Sequence, residues 1–305
     1  MRALVPTAEP EPLVTFAEVD EPDAGDGRVV VAVEAFGVNR GELYLLRGPR
    51  PGWRPGQDVA GTVVATSAGG PAVGTRVAAL ADAEGWAERV ALPAGAVTPL
   101  PDAVPTTQAA AVPLAGITAL RLVRAAGSPV GTRVLVTGAS GAVGHVVTQL
   151  LAGAGAEVVG VTASAERGAG LIELGASATA RSVEAAGGGF DVVLESVGGE
   201  SLVATLSRAV RPGGLVLWYG QASLTPAMLD FFALVSPAAG TRLVPFSYYL
   251  DSGARDDDLA TLVRLLAGGR LTVPVGREAD WSATAEVLRD LDERRIIGKA
   301  VLRVA

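Results

Sequence analysis

Residues 134–144, Val-Leu-Val-Thr-Gly-Ala-Ser-Gly-Ala-Val-Gly, join an apolar run to three closely spaced glycines. Gly138 and Gly141 allow a tight turn and a close backbone approach to a phosphate, and Gly144 lets a following helix pack closely. The first amides of such a helix are unpaired donors at the positive end of its dipole. The segment therefore predicts a phosphate-binding turn, with an ordinary strand–turn–helix connection as the alternative.

The residues after the next apolar run, Glu157–Val161, indicate which dinucleotide the turn would bind. An NAD site usually has Asp or Glu at this strand end to bond the ribose 2′-hydroxyl, but this chain continues Thr-Ala-Ser-Ala-Glu-Arg. Thr162, Ser164 and Arg167 suit a 2′-phosphate instead, because arginine is a permanent planar cation. The pattern favours NADPH over NADH, unless Arg167 is only a solvated charge on a surface helix.

Two further apolar segments, residues 191–199 and 212–220, each predict a buried parallel strand that ends in a turn. Ligands of an open parallel sheet lie outside the carboxyl ends of its strands. We therefore expect four residues at these ends to face the cofactor: Ser196, Val197, Tyr219 and Gly220. For each of them taken singly, the alternative is an ordinary role in the turn or in packing at the strand end.

Composition restricts the function classes. The 305 residues, 49% hydrophobic and 19% charged, are enough for two compact domains. A net charge of −7 argues against a nucleic-acid partner, which requires clustered cations. No leader segment and no bilayer-spanning apolar stretch is evident, so we expect a cytoplasmic protein without a membrane partner.

The supply of metal ligands is also limited. The chain has no cysteine and one histidine, which excludes thiol nucleophiles and a Cys-rich zinc lobe and leaves too few ligands for a typical catalytic zinc. We therefore predict no metal site. His145 directly follows Gly144, and we expect it on the helix surface, with a phosphate contact or a turn cap as alternatives.

The elements that would position these residues change type along the chain. Short β segments separated by Pro, Gly and Asp occupy the first hundred residues, at 2–5, 28–36, 59–65, 76–81 and 87–91. Helical patterns follow at 107–111 and 117–126, and strands at 133–137, 157–161, 190–194 and 214–218 then alternate with helices. Two helices, 257–267 and 284–292, and a last strand, 299–304, complete an α/β protein.

Six segments, in this order and spacing, resemble the zinc-independent quinone oxidoreductase branch of the medium-chain dehydrogenase/reductase superfamily. They are Phe-Gly-Val-Asn-Arg-Gly-Glu-Leu-Tyr (36–44), Pro-Gly-Gln-Asp-Val-Ala-Gly-Thr-Val (55–63), Pro-Leu-Ala-Gly-Ile-Thr-Ala-Leu (113–120), the glycine turn (138–144), Tyr-Gly-Gln-Ala-Ser (219–223) and Gly-Lys-Ala-Val-Leu (298–302).

The resemblance implies a discontinuous GroES-like β-barrel catalytic domain, residues 1–112 and 243–305, and an inserted Rossmann parallel-sheet domain, residues 113–242. It also implies an active cleft between the domains and a homodimer. Residues 224–250 are apolar and carry little charge, which is consistent with either a lid or a dimer surface. Five aromatic residues are candidates for the pocket wall, with core or interface packing as the alternative for each: Trp53, Phe231, Phe232, Tyr248 and Tyr249.

By matching position, the resemblance also assigns residue roles. Asn39 and Tyr44 would line the substrate side, Thr118 would meet the nicotinamide or its ribose, and Lys299 would bond the cofactor. Glu42 stands where the family usually has Asp, and Leu43 replaces a small polar residue, so the pocket floor differs. The complete set expected to bind NADPH is Thr118, Gly138, Ser140, Gly141, Ala142, Val143, Gly144, Thr162, Ser164, Arg167, Ser196, Val197, Tyr219, Gly220 and Lys299.

The resemblance implies hydride transfer from NADPH to a quinone or to the β-carbon of an α,β-unsaturated carbonyl. Tyr44 is the first candidate for donating a proton or hydrogen bond to the substrate oxygen and Asn39 the second, with solvent as the alternative donor. Reduction of saturated carbonyls is disfavoured, because it normally relies on zinc in this superfamily. Two further hypotheses are a dedicated biosynthetic tailoring enone reductase and a noncatalytic NADPH-binding redox sensor.

Overall fold

The computed structural model describes residues 1–7, 9–248 and 255–304. It contains two compact units, Met1–Ile117 with Gly253–Ala305 (unit 1) and Thr118–Ser252 (unit 2). These boundaries fall five to ten residues after the expected 112/113 and 242/243 divisions. The second difference has a clear reason, because residues 242–245 form a strand that pairs within the sheet of unit 2.

The described residues form fifteen strands. They are β1 (Arg2–Pro6), β2 (Val14–Glu18), β3 (Arg28–Val38), β4 (Asp58–Thr66), β5 (Arg76–Leu80), β6 (Arg89–Pro93), β7 (Val97–Pro99), β8 (Arg133–Thr137), β9 (Glu157–Val161), β10 (Ala178–Ala180), β11 (Phe190–Glu195), β12 (Val210–Trp218), β13 (Arg242–Pro245), β14 (Val275–Asp280) and β15 (Lys299–Arg303).

Ten α-helical segments connect the strands, with short 3₁₀ turns at Ala94–Ala96 and Trp281–Ala283 and a π-helical turn at Thr205–Ala209. They are α1 (Arg40–Leu46), α2 (Thr106–Ala111), α3 (Pro113–Ala126), α4 (Ala142–Gly153), α5 (Ala165–Glu173), α6 (Val183–Ala186), α7 (Gly199–Ala204), α8 (Phe231–Leu234), α9 (Arg255–Ala267) and α10 (Thr284–Asp292). No helix in the described part of the chain is both long and apolar enough to cross a membrane.

Unit 1 is built around a seven-stranded sheet in the order β14-β15-β3-β4-β5-β7, with β6 also paired to β3. The eleven-residue β3 pairs antiparallel with β4, β6 and β15. Its valines and Phe36 enter the core, where the Phe36 and Trp86 rings stack with centroids 5.3 Å apart. Strand β15, from the C-terminal part of the chain, therefore lies inside a sheet made mainly by the N-terminal part.

Unit 2 contains a six-stranded sheet in the order β10-β9-β8-β11-β12-β13, and every neighbouring pair is parallel. Val134, Leu135 and Val136 of the central β8 are fully buried, as expected when helices cover both faces. The strand order reverses between β8 and β11, which is where open parallel sheets bind dinucleotides. The predicted parallel α/β organisation is confirmed.

Several strands were not predicted from the sequence: β2, β7, β10, β13 and β14. They are three to six residues long, and apolar periodicity is weak over so few positions. Strand β13 is largely exposed, and its only consecutive aliphatic residues are Leu243 and Val244. Local pattern identifies the central strands of both sheets, whereas these strands depend on their neighbours.

Candidate functional site

The glycine turn of unit 2 forms the predicted strand–turn–helix. Gly138 follows β8 with φ +61°, a left-handed conformation that glycine adopts easily. Gly141 is the N-cap residue of α4; its backbone is extended and it has no side chain to cap the helix. The first amides of α4, at Ala142, Val143 and Gly144, are consequently not capped by a side chain, and an anion could accept hydrogen bonds from them.

Two of these glycines are required by close contacts. A Cβ at Gly144 would lie 2.3 Å from the carbonyl oxygen of Ala139 and 2.5 Å from its Cα. A Cβ at Gly138 would lie 2.5 Å from Oγ of Ser196. Because backbone atoms cannot move aside as easily as a flexible side chain, Gly144 is the stricter requirement of the two.

The residues predicted to read a 2′-phosphate lie together beside this turn. Ser164 caps α5, and its Oγ accepts a hydrogen bond from the Arg167 amide at 3.2 Å. The Arg167 Nε donates to Oγ of Ser140 at 3.3 Å, which links α5 to the glycine turn. The buried Thr162 hydroxyl donates to the Ser164 carbonyl at 2.9 Å, so it shapes the loop.

The surface position expected for His145 is wrong. Its side chain is buried, and Nδ1 lies 3.0 Å from the carbonyl oxygen of Gly141. Burial lowers the pKa of His145, and the nearby positive charge of Arg167 acts in the same direction. The alternative of a turn cap describes it better, because the ring braces the carbonyl group that begins α4.

At the carboxyl ends of β11 and β12, the four predicted residues lie in connected segments. Ser196 donates from its amide to Oγ1 of Thr137 and from Oγ to the Thr137 carbonyl, both at 2.8 Å. Tyr219 hydrogen-bonds with Ser196, and burial raises the Tyr219 pKa above its ordinary value. A Cβ at Gly220 would lie 2.9 Å from the Ser196 carbonyl oxygen, so this position also favours glycine. Val197 is half-buried in the same turn.

Unit 1 holds a buried polar cluster of four residues, Asn39, Glu42, Asp58 and Lys299. The Lys299 Nζ donates to Oδ2 of Asp58 and to Oδ1 of Asn39, both at 2.5 Å. The Asn39 Nδ2 donates to Oδ2 of Asp58 at 2.9 Å. The ammonium group of Lys299 is thus paired with the carboxylate of Asp58 away from water, with the carboxyl group of Glu42 in the same cluster.

This cluster changes the expected roles of Lys299 and Asn39. Lys299 is 1% exposed, so its ammonium holds Asp58 and Asn39 rather than presenting a surface to a cofactor. A Cβ on neighbouring Gly37 would approach Lys299 Cε to 2.7 Å, which explains a glycine there. Both ends of the Asn39 amide are occupied within the cluster, so this geometry does not support donation to a substrate.

Glu42 connects the cluster to helix α1. Its Oε2 accepts from the Asn39 amide at 2.9 Å, completing a capping box, and its Oε1 accepts from the Gly56 and Gln57 amides at 3.0 and 3.1 Å. The longer side chain at this position therefore reaches the 56–57 backbone. Burial, with the negative charge of Asp58, raises the pKa of Glu42 to about 7.

The raised pKa predicts how stability depends on pH. Since the ordinary pKa is 4.5, the native state binds more protons than the unfolded state between pH 4.5 and about 7. The contribution of Glu42 to stability is thus full below pH 4.5 and decreases as pH rises through 7, by on the order of 3 kcal/mol.

Urea unfolding at several pH values, compared between the wild-type chain and Glu42→Gln, measures this contribution. The glutamine variant is less stable overall, because an amide cannot accept hydrogen bonds at both ends, but it lacks the titration. The stability advantage of the wild type should shrink between pH 4.5 and 7. A constant difference across this range would contradict the prediction.

The other predicted residues have diverse environments. Tyr44 is 76% exposed on α1, on the side away from the buried Glu42, and Thr118 is buried in α3.

Trp53 packs against the unit 1 core, whereas Phe231 and Phe232 are exposed and meet edge to face. The Tyr248 carbonyl accepts from Arg121, and Tyr249 lies outside the described residues. The pocket-wall role of these aromatic residues stays a prediction.

Sequence reasoning missed two buried carboxylates. Asp58 joins Lys299 and Asn39 and also accepts from the Leu114 amide at 2.7 Å. Glu195 ends β11 fully buried. The local signal for each is an acidic residue next to an apolar run: Asp58 begins β4 and Glu195 ends β11. This signal does not reveal the bonding partners, which for Asp58 include residues 56 and 241 positions away.

Comparison with known proteins places these units in a family. A family model described as "Alcohol dehydrogenase GroES-like domain" matches residues 25–102, and one described as "Zinc-binding dehydrogenase" matches residues 171–302. The GroES-like part of the fold prediction is thereby confirmed. The donors do not fit zinc: the chain has no cysteine, its histidine braces Gly141, and the described residues hold no group of three or more metal-binding side chains.

Among curated proteins, the chain is 35% identical over 293 residues to the spectinabilin polyketide synthase system protein NorB of Streptomyces orinoci, covering 90% of this chain but 13% of that protein. It is 32% identical to the quinone oxidoreductase of Rattus norvegicus, covering 69% of this chain and 70% of that protein.

Among solved structures, the mycobacterial protein Rv1454c, complexed with NADPH, aligns with a TM-score of 0.89 and 26% identity over 99% of both chains. Both family models, the identity with the rat enzyme and this alignment agree with the motif resemblance. The chain belongs to the medium-chain dehydrogenase/reductase superfamily and is of the quinone oxidoreductase type.

Proposed function

We propose that this chain is an NADPH-dependent oxidoreductase that reduces an α,β-unsaturated carbonyl compound or a quinone without zinc. The observation that carries the proposal is the joining of Arg167 to Ser140 beside a glycine turn whose helix start lacks a side-chain cap. When bound, NADPH supplies a hydride from its nicotinamide ring. The chain's own residues bind and orient the reactants and exclude water.

The residues proposed to hold NADPH divide along the sheet. The first amides of α4, from Ala142 to Gly144, receive the pyrophosphate. Arg167, with Ser164 and Ser140, receives the 2′-phosphate, because no carboxylate occupies the end of β9 to bond a ribose hydroxyl. On the other side of β8, the Ser196–Val197 and Tyr219–Gly220 segments border the nicotinamide half.

Cofactor preference gives a prediction for Arg167. Replacing Arg167 with leucine removes the cation beside Ser140, so the Kd for NADPH should rise roughly 10- to 50-fold while that for NADH changes less than about 2-fold. Fluorescence titration with both cofactors measures the two constants.

Arg208→Leu is the matched control, because Arg208 is also an arginine of unit 2 and is exposed. Its backbone lies near Gly188, at the amino end of β11, whereas the proposed NADPH site lies at the carboxyl ends of the strands. It should leave both constants unchanged. An equal loss of affinity for NADH and NADPH in Arg167→Leu would contradict a 2′-phosphate role.

The similarity to NorB, a polyketide synthase system protein, supports the hypothesis of a dedicated biosynthetic role. The similarity to the rat enzyme supports quinones. The chain spans 13% and 15% of the first two curated relatives, so their whole-protein activities are not carried over. We favour the dedicated biosynthetic role, because relatives in polyketide synthases match 90% or more of this chain.

Loss of NADPH absorbance with α,β-unsaturated thioesters and ketones and with simple quinones tests the proposal. Tyr44, exposed on α1, is the proposed hydrogen-bond donor to the substrate oxygen, and Tyr44→Phe should lower kcat about 10-fold or more. Unchanged kcat would assign the proton to solvent. NADPH binding without turnover of any of these substrates would favour either a specialised substrate or the redox-sensor hypothesis.

A further inference from the structure

Glu195, the last residue of β11, is a fully buried carboxylate held only by neutral donors. Its Oε1 accepts from the Val197 and Gly198 amides at 2.7 and 2.9 Å. Its Oε2 accepts from the hydroxyls of Ser201 and Thr205 at 3.0 and 3.1 Å. None of the described lysine or arginine side chains pairs with it. Four hydrogen bonds satisfy the group in place of an ion pair.

These bonds fix the turn at residues 196–198, which holds its neighbours. Ser196 is bonded twice to Thr137, at the end of β8. The Ala222 and Ser223 amides donate to the Ser196 and Val197 carbonyls at 3.0 and 2.8 Å, which ties in the segment after β12. One buried carboxylate therefore fixes the turn that connects three neighbouring strand ends.

The strand order indicates which half of a dinucleotide this turn would meet. In a sheet ordered β10-β9-β8-β11-β12-β13, the adenosine half lies over β9, where α5 carries Arg167, and the nicotinamide half lies over β11 and β12. Resting on the proposed function, we propose that Glu195 is a positioning residue that shapes the nicotinamide half of the NADPH site and leaves the adenosine half unaffected.

The donors of Glu195 define which substitutions should preserve this role. Glutamine keeps an oxygen for the Val197 and Gly198 amides, and its NH₂ can donate to the Ser201 and Thr205 hydroxyls, because hydroxyls also accept. Alanine leaves both amides without an acceptor, and aspartate retracts the acceptor by one methylene. The requirement is thus for an acceptor at the right distance and not for the negative charge.

Isothermal titration of the full chain with NADPH and with adenosine 2′,5′-bisphosphate, which lacks the nicotinamide half, tests the proposal. Glu195→Ala should raise the Kd for NADPH by roughly 10-fold or more and that for the bisphosphate by less than about 2-fold. Glu195→Gln should stay within about 3-fold of the wild type for both ligands. If the alanine variant does not fold, Glu195→Asp takes its place with the same expectation.

Three results would overturn the inference: equal weakening of both ligands, unchanged NADPH affinity in Glu195→Ala, or a loss in Glu195→Gln as large as that in Glu195→Ala. Equal weakening would mean that the carboxylate only supports the fold of unit 2. Failure of the wild-type chain to bind NADPH is a separate result, because it contradicts the proposed function itself and with it this inference.

Discussion

Replacing Lys299 with methionine is expected to lower the free energy of unfolding by about 3–5 kcal/mol, because it leaves the buried Asp58 carboxylate without its cation. Methionine fills a similar volume but offers no donor to Asp58 or Asn39, whose bonds from Lys299 Nζ are 2.5 Å long. Asp58 and Glu42 are both inaccessible to water, so solvent cannot screen the charge that remains.

Urea unfolding followed by tryptophan fluorescence reports mainly on unit 1, because Trp53, Trp86 and Trp281 lie there and only Trp218 lies in unit 2. Arg303→Met is the matched control on the same strand, because its ion pair with Glu278 is exposed and should contribute less than about 1 kcal/mol. Equal unfolding midpoints for Lys299→Met and Arg303→Met would refute the prediction.

A double variant separates charge from packing. Lys299→Met combined with Asp58→Asn removes both members of the ion pair, and the new amide still offers an oxygen to the Leu114 amide. It should recover at least about half of the loss, since breaking a buried pair costs more than replacing it by neutral groups. No recovery would show that packing around the lysine stem, and not the unpaired charge, dominates.

Replacing Gly144 with alanine is expected to weaken NADPH binding roughly 100-fold or more and to destabilise the chain by about 1–3 kcal/mol. The new methyl group would lie 2.3 Å from the Ala139 carbonyl oxygen, so either α4 or the turn must shift. Such a shift moves the amides of Ala142 and Val143 that are proposed to bind the pyrophosphate.

Gly153→Ala is the control for this substitution. Gly153 ends the same helix, and no atom lies within 4 Å of where its Cβ would be. Alanine should stabilise α4 there by up to about 1 kcal/mol without changing NADPH affinity. Titration calorimetry and urea unfolding measure both effects, and similar behaviour of the two variants would contradict the steric argument.

The sequence contains strong local signals for the central elements of both units. The run 134–144 specifies β8, the turn and the start of α4, because Gly138 meets the requirement for a positive φ and Gly144 the close approach of Ala139. Local apolar runs likewise specify β9, β11 and β12 and their spacing along the chain. Apolar periodicity and turn chemistry act over a few residues, so these features could be predicted without tertiary information.

The polar interior could not be predicted in this way. Lys299 and Asp58 are 241 positions apart and meet only because β15 pairs beside β3. The sequence predicts a surface histidine at His145, whereas in the structure its ring is buried with Nδ1 against the carbonyl oxygen of Gly141. Glu195 depends on backbone donors, which every sequence has. Only the Lys299–Asp58 pair joins residues that are distant in sequence. His145 and Glu195 bond to groups within ten residues, but apolar periodicity does not indicate which nearby polar groups a buried side chain will meet.

The interior position of β15 also affects the order in which the chain can mature on the ribosome. Translation supplies all of unit 2 before the strand that completes the sheet of unit 1. Until then, the nascent segments that carry Asn39 and Asp58 lack their lysine partner, and the edge of β3 that later receives β15 is open. Unit 1 is therefore the unit that depends on late synthesis and is exposed to premature pairing with other chains.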